Sequence, residues 1–176
     1  VLEAVVARTP GVVDVALGLD ATDRASLWQL RESHTEVLST RGPVHKLDVV
    51  VPLAAMGTFL ARLPTLVATA AGGEDVEVVV FGHLGVGDLH VNLVGVPDAR
   101  SVAVEDAVLT GVVAAGGAPA GEHGVGVQKR RWVARARSRA DVAAMWALAR
   151  AFDPDGRLNP GVLLPPEGQD EGGVPG

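Results

Sequence analysis

Three histidines and one glutamate stand in glycine-rich settings suited to metal or acid–base chemistry. The first setting is Phe81-Gly82-His83-Leu84-Gly85-Val86-Gly87-Asp88-Leu89-His90-Val91-Asn92-Leu93. Alternating apolar residues on either side of a glycine-rich reversal predict a β-hairpin. With the turn centred between Val86 and Gly87, His83 falls opposite His90 and Phe81 opposite Asn92. Val78, Val80, Leu84, Leu89, Val91 and Leu93 then point to the reverse, core-side face. A longer loop from Gly85 to Asp88 keeps the same partners and relieves Val86 of a positive φ. Directly opposed Cβ atoms lie ~4.5–5.5 Å apart, so two imidazoles there can converge on one metal ion or one anionic substrate. The plainer alternative is a pair of histidines on a solvated sheet face.

The second setting, Gly121-Glu122-His123-Gly124-Val125-Gly126, puts a carboxylate beside an imidazole where glycines remove bulk and permit a bent backbone. Two histidines and one carboxylate leave open positions on zinc or another divalent ion, as a catalytic site requires. Neighbouring strand residues face opposite ways, so Glu122 and His123 serve one site only if the chain bends there. A surface loop with incidental charges is the alternative. Neither glycine-rich stretch matches GxGxxG or a Walker loop, and no HExxH occurs, so dinucleotide and zinc-protease readings lack support.

The elements that must hold these residues follow from pattern. Val12 to Leu17 suits a strand, and Asp20 caps a helix from about Ala21 to Ser39, stopped by Arg41-Gly42-Pro43. Lys46 to Val51 forms a second strand, Leu53 to Ala71 a helix interrupted by Pro64, Val76 to Phe81 a third strand and Leu89 to Gly95 a fourth. Ser101 caps a helix to about Ala115, Ala120 to Val127 is extended, and Asp141 caps a last helix ending near Phe152. This order predicts an α+β fold, a mainly antiparallel sheet with helices packed on one face.

The chain has 176 residues, is 48% hydrophobic and contains no cysteine. One compact domain with a sizeable core is expected, without disulfides or thiolate chemistry. The net charge of −6 argues against nucleic-acid binding, since Lys129-Arg130-Arg131 is the only basic cluster. Stretches such as Val108 to Ala115 are too short to span a bilayer and no signal peptide opens the chain, so a soluble, cytoplasmic protein without a transmembrane segment is expected. The start at Val1, in what reads as mid-helix, suggests a piece of a longer protein. From Pro165 onward, proline, glycine and acidic residues predict a disordered tail over 165–176.

Taken in order, the histidine hairpin, the Gly121–Gly126 segment and Asp153-Pro154-Asp155-Gly156-Arg157-Leu158-Asn159-Pro160-Gly161 resemble the C-terminal domain of FAD-linked oxidases, in the D-2-hydroxyglutarate and D-lactate dehydrogenase group. Leu27-Trp28-Gln29-Leu30-Arg31-Glu32 and Lys46-Leu47-Asp48-Val49-Val50-Val51-Pro52 extend the likeness, which covers about Val12 to Leu164. The resemblance implies a ferredoxin-like substrate or cap domain over residues 1–164. In it His83, His90 and Glu122 bind a divalent metal, often zinc, and His123 is the general base. It assigns Arg31, Thr35, Lys46 and Asn92 to the substrate's carboxylates and sets Asn159 near the flavin. Arg31 and Thr35, four apart, would share a helix face. The chain departs from the family pattern at Val86, where Asp is usual, at Asp88, where Asn is usual, and at Val162, where many relatives carry Lys.

The implied activity is oxidation of an anionic D-2-hydroxyacid, like D-2-hydroxyglutarate or D-lactate, to the 2-oxoacid. It would require FAD held by a separate flavin-binding domain of the same protein, an electron acceptor and, in some assemblies, a homodimer. By itself the chain would bind no FAD tightly and oxidise nothing. The rival is a non-catalytic α+β module that binds a metal or anion or mediates assembly; metal-assisted hydrolysis leaves the Asn159-Pro160-Gly161 match unexplained.

Overall fold

The computed structural model describes residues 2–166. From residue 167 on, the expected disordered tail lies outside the described residues, while Leu164 and Pro165 are buried. The chain divides into two compact units, Val1–Arg41 and Gly42–Gly176.

The first unit contains helices α1 (Leu2–Val6), α2 (Ala21–Glu32) and α3 (His34–Ser39). Asp20 caps α2 as expected, its carboxylate accepting from the Asp23 N–H at 2.9 Å. The single helix predicted to Ser39 is instead two, joined at Ser33. Val12–Leu17 forms no strand. A β-branched run becomes a strand only when a neighbour completes its backbone hydrogen bonds, and the sheet among the described residues has three strands, all in the second unit.

In that unit β1 (Val44–Val50), β2 (Glu77–His83) and β3 (Asp88–Val94) form an antiparallel sheet in the order β1-β3-β2. Alternation sends Leu47 and Val49 of β1 and Leu89, Val91 and Leu93 of β3 into one core. Helices α4 (Leu53–Ala70) and α5 (Ser101–Ala114) supply the opposite wall through Met56, Phe59, Leu63 and Val67 and through Val104, Val108, Leu109 and Val112. By length and composition α4 is apolar enough to cross a membrane, yet this stripe is buried in the core. Pro64 sits inside α4 without ending it, and burial of the flanking Leu63 and Val67 offsets a proline cost of about 3 kcal/mol.

Helix α6 (Gly126–Ala136) arises where an extended segment was expected as far as Val127, and it buries Trp132 in the core. The cap of α7 (Arg139–Phe152) is Ser138 rather than Asp141; Asp141 closes the capping box from the third helical position. Ser101 opens α5 without capping it, because a 3-10 turn over Asp98–Arg100 leads in and its hydroxyl donates to the Asp98 carbonyl at 2.9 Å.

Candidate metal and acid–base site

The hairpin forms with a different register from that expected. A 3-10 turn, Leu84–Val86, followed by Gly87 at φ 77°, joins β2 to β3, so His83 pairs with Asp88, Phe81 with His90 and Val79 with Asn92. Gly87 takes the left-handed conformation that Val86 would resist. Leu84, assigned to the core face, lies in the turn and is exposed. The partner of each β2 residue moves by two positions, and a shift of two preserves the face. His83 and His90 therefore still share the face away from the core, diagonally rather than directly opposed, with ring centroids 5.7 Å apart.

Glu122 and His123 reach that face because the glycine-rich segment docks on the open edge of β1. Val50 and Ala118 exchange backbone hydrogen bonds of 3.0 and 2.9 Å, and the Gly121 N–H donates to the Asp48 carbonyl at 3.3 Å. The segment thereby covers an edge that would otherwise expose unpaired backbone groups. Next the His123 N–H donates to Asp48 Oδ2 at 2.8 Å, which supplies the predicted bend. Gly121 has to be glycine: a Cβ there would collide with Asp88 Oδ1 and lie 2.6 Å from Asp48 Oδ1.

His83, Asp88, His90 and Glu122 present ligand atoms that all lie within 4.8 Å of one another. His83 Nδ1 is 3.0 Å from Asp88 Oδ2 and 3.9 Å from Glu122 Oε2; His90 Nε2 is 3.5 Å from Glu122 Oε1 and 3.9 Å from Asp88 Oδ2. Two imidazole nitrogens and two carboxylates at these separations fit the donor set of one divalent cation. Asp88 and Asp48 are both buried, 5% exposed, and neither Oδ1 has a hydrogen-bond partner. Buried carboxylate oxygens left in that state are costly, and a cation or a water molecule could satisfy them. His123 stacks on His90 at 5.6 Å, with Nε2 3.5 Å from Glu122 Oε1, which sets an imidazole beside the donor cluster.

Asp48 and Asp88 are the two residues that sequence reasoning did not select. Their signal was parity: Asp48, Asp88 and His90 are even-numbered positions of adjacent strands in register, hence on one face. Burial pushes the Asp48 carboxyl up, but the His123 backbone N–H, contact with the Asp88 carboxyl and the nearby His123 and Lys129 charges outweigh it, leaving it below the usual value. Lys129 donates to the Asp48 carbonyl at 2.9 Å; burial lowers its ammonium pKa against the opposing pull of Asp48 and Glu105. The basic cluster is thus dispersed, since Arg130 donates to the Gly161 carbonyl and Arg131 pairs with Asp106.

The remaining predicted residues fall in several places. Lys46 is exposed on β1 opposite Asn92, and it lines a cavity of about 370 Å³ with Ser101, Glu105, Gln128 and Lys129. Asn92 is buried on β3, its amide donating to the carbonyls of His90 at 3.0 Å and Val79 at 3.4 Å. Arg31 ends α2 and Thr35 lies in α3, both within the first unit. Asn159 is exposed and is the one non-glycine residue with positive φ, 43°, among the described residues.

The family described as FAD linked oxidases, C-terminal domain, matches residues 2–163. The chain is 38% identical over 161 residues to a D-2-hydroxyglutarate dehydrogenase of Xanthomonas citri pv. viticola, covering 87% of this chain and 33% of that protein. It is 34% identical over 164 residues to the Stutzerimonas stutzeri enzyme of that name, covering 87% and 34%. To the mitochondrial D-2-hydroxyglutarate dehydrogenase of Bos taurus it is 33% identical over 156 residues, covering 88% and 28%. The chain spans about a third of the length of the curated relatives it matches.

Proposed function

Because the chain belongs to the C-terminal domain family of FAD-linked oxidases, we propose that it is the substrate- and metal-binding part of a flavin-dependent dehydrogenase that oxidises a D-2-hydroxyacid to the 2-oxoacid. The observation that carries this reading is the convergence of His83, Asp88, His90 and Glu122 beside His123. Names of relatives point to D-2-hydroxyglutarate or a similar anionic hydroxyacid.

His83, His90 and Glu122, joined by Asp88, would hold the divalent ion, zinc being the first choice for two imidazoles and carboxylates. When bound, the metal supplies positive charge for a developing alkoxide and the flavin of the remaining protein a hydride acceptor. The chain's own residues do the rest. His123 is exposed, and it takes the proton of the substrate hydroxyl on its imidazole. Lys46 engages a substrate carboxylate from the sheet edge. Asn92 directs its amide nitrogen at the backbone carbonyls of His90 and Val79. The flavin-binding domain lies in the part of the protein beyond this chain, so this chain alone neither binds FAD tightly nor turns over.

Elemental analysis with calorimetry tests the proposal. The purified chain is expected to retain zinc stoichiometrically, to lose it in His83→Ala and His90→Ala, and to bind D-2-hydroxyglutarate only when zinc-loaded. Zinc retention without hydroxyacid binding supports the non-catalytic metal-binding module instead. No affinity for any divalent ion overturns the metal-binding reading and leaves the non-catalytic anion-binding or assembly module.

A further inference from the structure

Two helices of the second unit are apolar around most of their circumference, but only one of them is covered. In α4 the core takes Met56, Phe59, Leu63 and Val67. In α7 the only polar residues are Arg139, Asp141 and Arg150, yet none of its fourteen residues is buried. This helix rests on α6, with Val142, Met145 and Trp146 half-buried. On a different face Ala144, Leu148 and Phe152 recur every four residues, and Leu148 is 60% and Phe152 84% exposed. The chain then turns back: Asp153 accepts from the N–H groups of Arg157 and Leu158, which sets Leu158, 72% exposed, at the same end of the helix.

A helix apolar on every side is ordinarily a buried one, and neighbouring exposed apolar residues, unlike scattered ones, mark a surface that something covers. Helix α7 does not depend on that cover for its own formation. The Ser138–Asp141 capping box closes its first turn and Asp153 its last, so the face stands preformed.

We propose that the face of α7 formed by Leu148 and Phe152, with Leu158 beside it, is the surface on which the flavin-binding part of the same protein docks. Three large side chains fall short of the about 800 Å² per partner that a stable pair of free chains buries. A part tethered within one protein needs less, because tethering supplies an effective concentration on the order of millimolar. The chain spans about a third of the length of its curated relatives, which leaves the larger part of such a protein to be seated. Helix α6 begins three residues beyond His123 and carries α7, so a part docked there is joined to the candidate site through one continuous stretch of chain. Phe152 is the anchor, since its ring supplies the largest apolar area on the face.

The assignment rests on the dehydrogenase reading of the chain, and the test separates the two. The chain has no cysteine, so Leu148→Cys, Phe152→Cys and, as a control on the exposed side of α4, Ala68→Cys each give one reactive thiol. Maleimide labelling is followed site by site, by mass spectrometry of the labelled peptide, in this chain alone and in the longer protein that carries it. All three sites are expected to label quickly in the chain alone. In the longer protein the sites at 148 and 152 are expected to slow by about tenfold or more, with the site at 68 unchanged. Unchanged rates at 148 and 152 in a protein that carries FAD overturn the surface and leave the dehydrogenase reading standing. Equal slowing at 68 overturns the assignment to α7. A longer protein without FAD overturns both the surface and the dehydrogenase reading. Slowing that grows with concentration in the chain alone assigns the face to a second copy, which also overturns the proposal.

Discussion

The two faces of the three-stranded sheet use the same backbone for opposite ends. On one, Val49, Val91 and Leu93 are at most 1% exposed and belong to an apolar core cluster with residues of α4 and α5. On the other, Asp48, Asp88 and Asn92 are nearly as buried, yet they are polar, and two carboxylate oxygens lack partners. The first face contributes stability through apolar area removed from water. The second spends some of that stability on buried carboxylate oxygens that have no hydrogen-bond partner. A third carboxylate sharpens the contrast: Asp153, half-buried at the C-cap of α7, accepts from the N–H groups of Leu158 at 2.7 Å and Arg157 at 3.0 Å. Both Asp153 oxygens have donors in place, whereas one oxygen of each of Asp48 and Asp88 has none.

The contrast is broken most severely from the core side. Leu93→Ala should cost roughly 2–5 kcal/mol of unfolding free energy, read by denaturant titration, because a side chain 1% exposed leaves a cavity. A cost near zero would mean that this face does not carry the fold. Next comes Gly121→Ala, whose methyl would meet the Asp48 and Asp88 carboxylates. About 1–3 kcal/mol is expected from overpacking, together with loss of zinc affinity as Glu122 and His123 are displaced. Unchanged zinc binding in that variant would show that the docked edge segment is not what places the ligands. The smallest effect concerns Asp153. Hydrogen bonds from Leu158 and then Arg157 hold its pKa below the ordinary carboxylate value of 3.8. A lowered folded-state pKa contributes stability above 3.8 that is lost as pH falls through the folded value. Amide exchange at Arg157 and Leu158 should therefore speed up only in acid, and in Asp153→Asn the added acid dependence should disappear. Acid acceleration that persists in the variant would assign it to another group.

Much of this was legible from residue types alone. The hairpin, the sharing of a face by His83 and His90 and the α4 helix come from local periodicity and glycine placement, whereas the grouping of Glu122 and His123 with those histidines was implied by the family resemblance. The register differs because the turn is centred one residue earlier: the 3-10 turn with Gly87 occupies residues 84–87, where the reversal was expected between Val86 and Gly87 or over Gly85 to Asp88. The Val12–Leu17 strand failed for the converse reason, that β-branched composition does not supply a hydrogen-bonding neighbour.

The amino-acid order by itself determined which side chains share a face, because strand alternation has a period of two and survives any even slip in pairing. Only the tertiary structure decided that Asp48 and Asp88 join the histidines, that the Gly121 segment closes the β1 edge, and that Gly126–Ala136 coils into a helix. Those outcomes depend on hydrogen bonds between positions as distant as Asp48 and His123 and on burial beneath a docked segment, neither of which is written in the spacing of neighbouring residues.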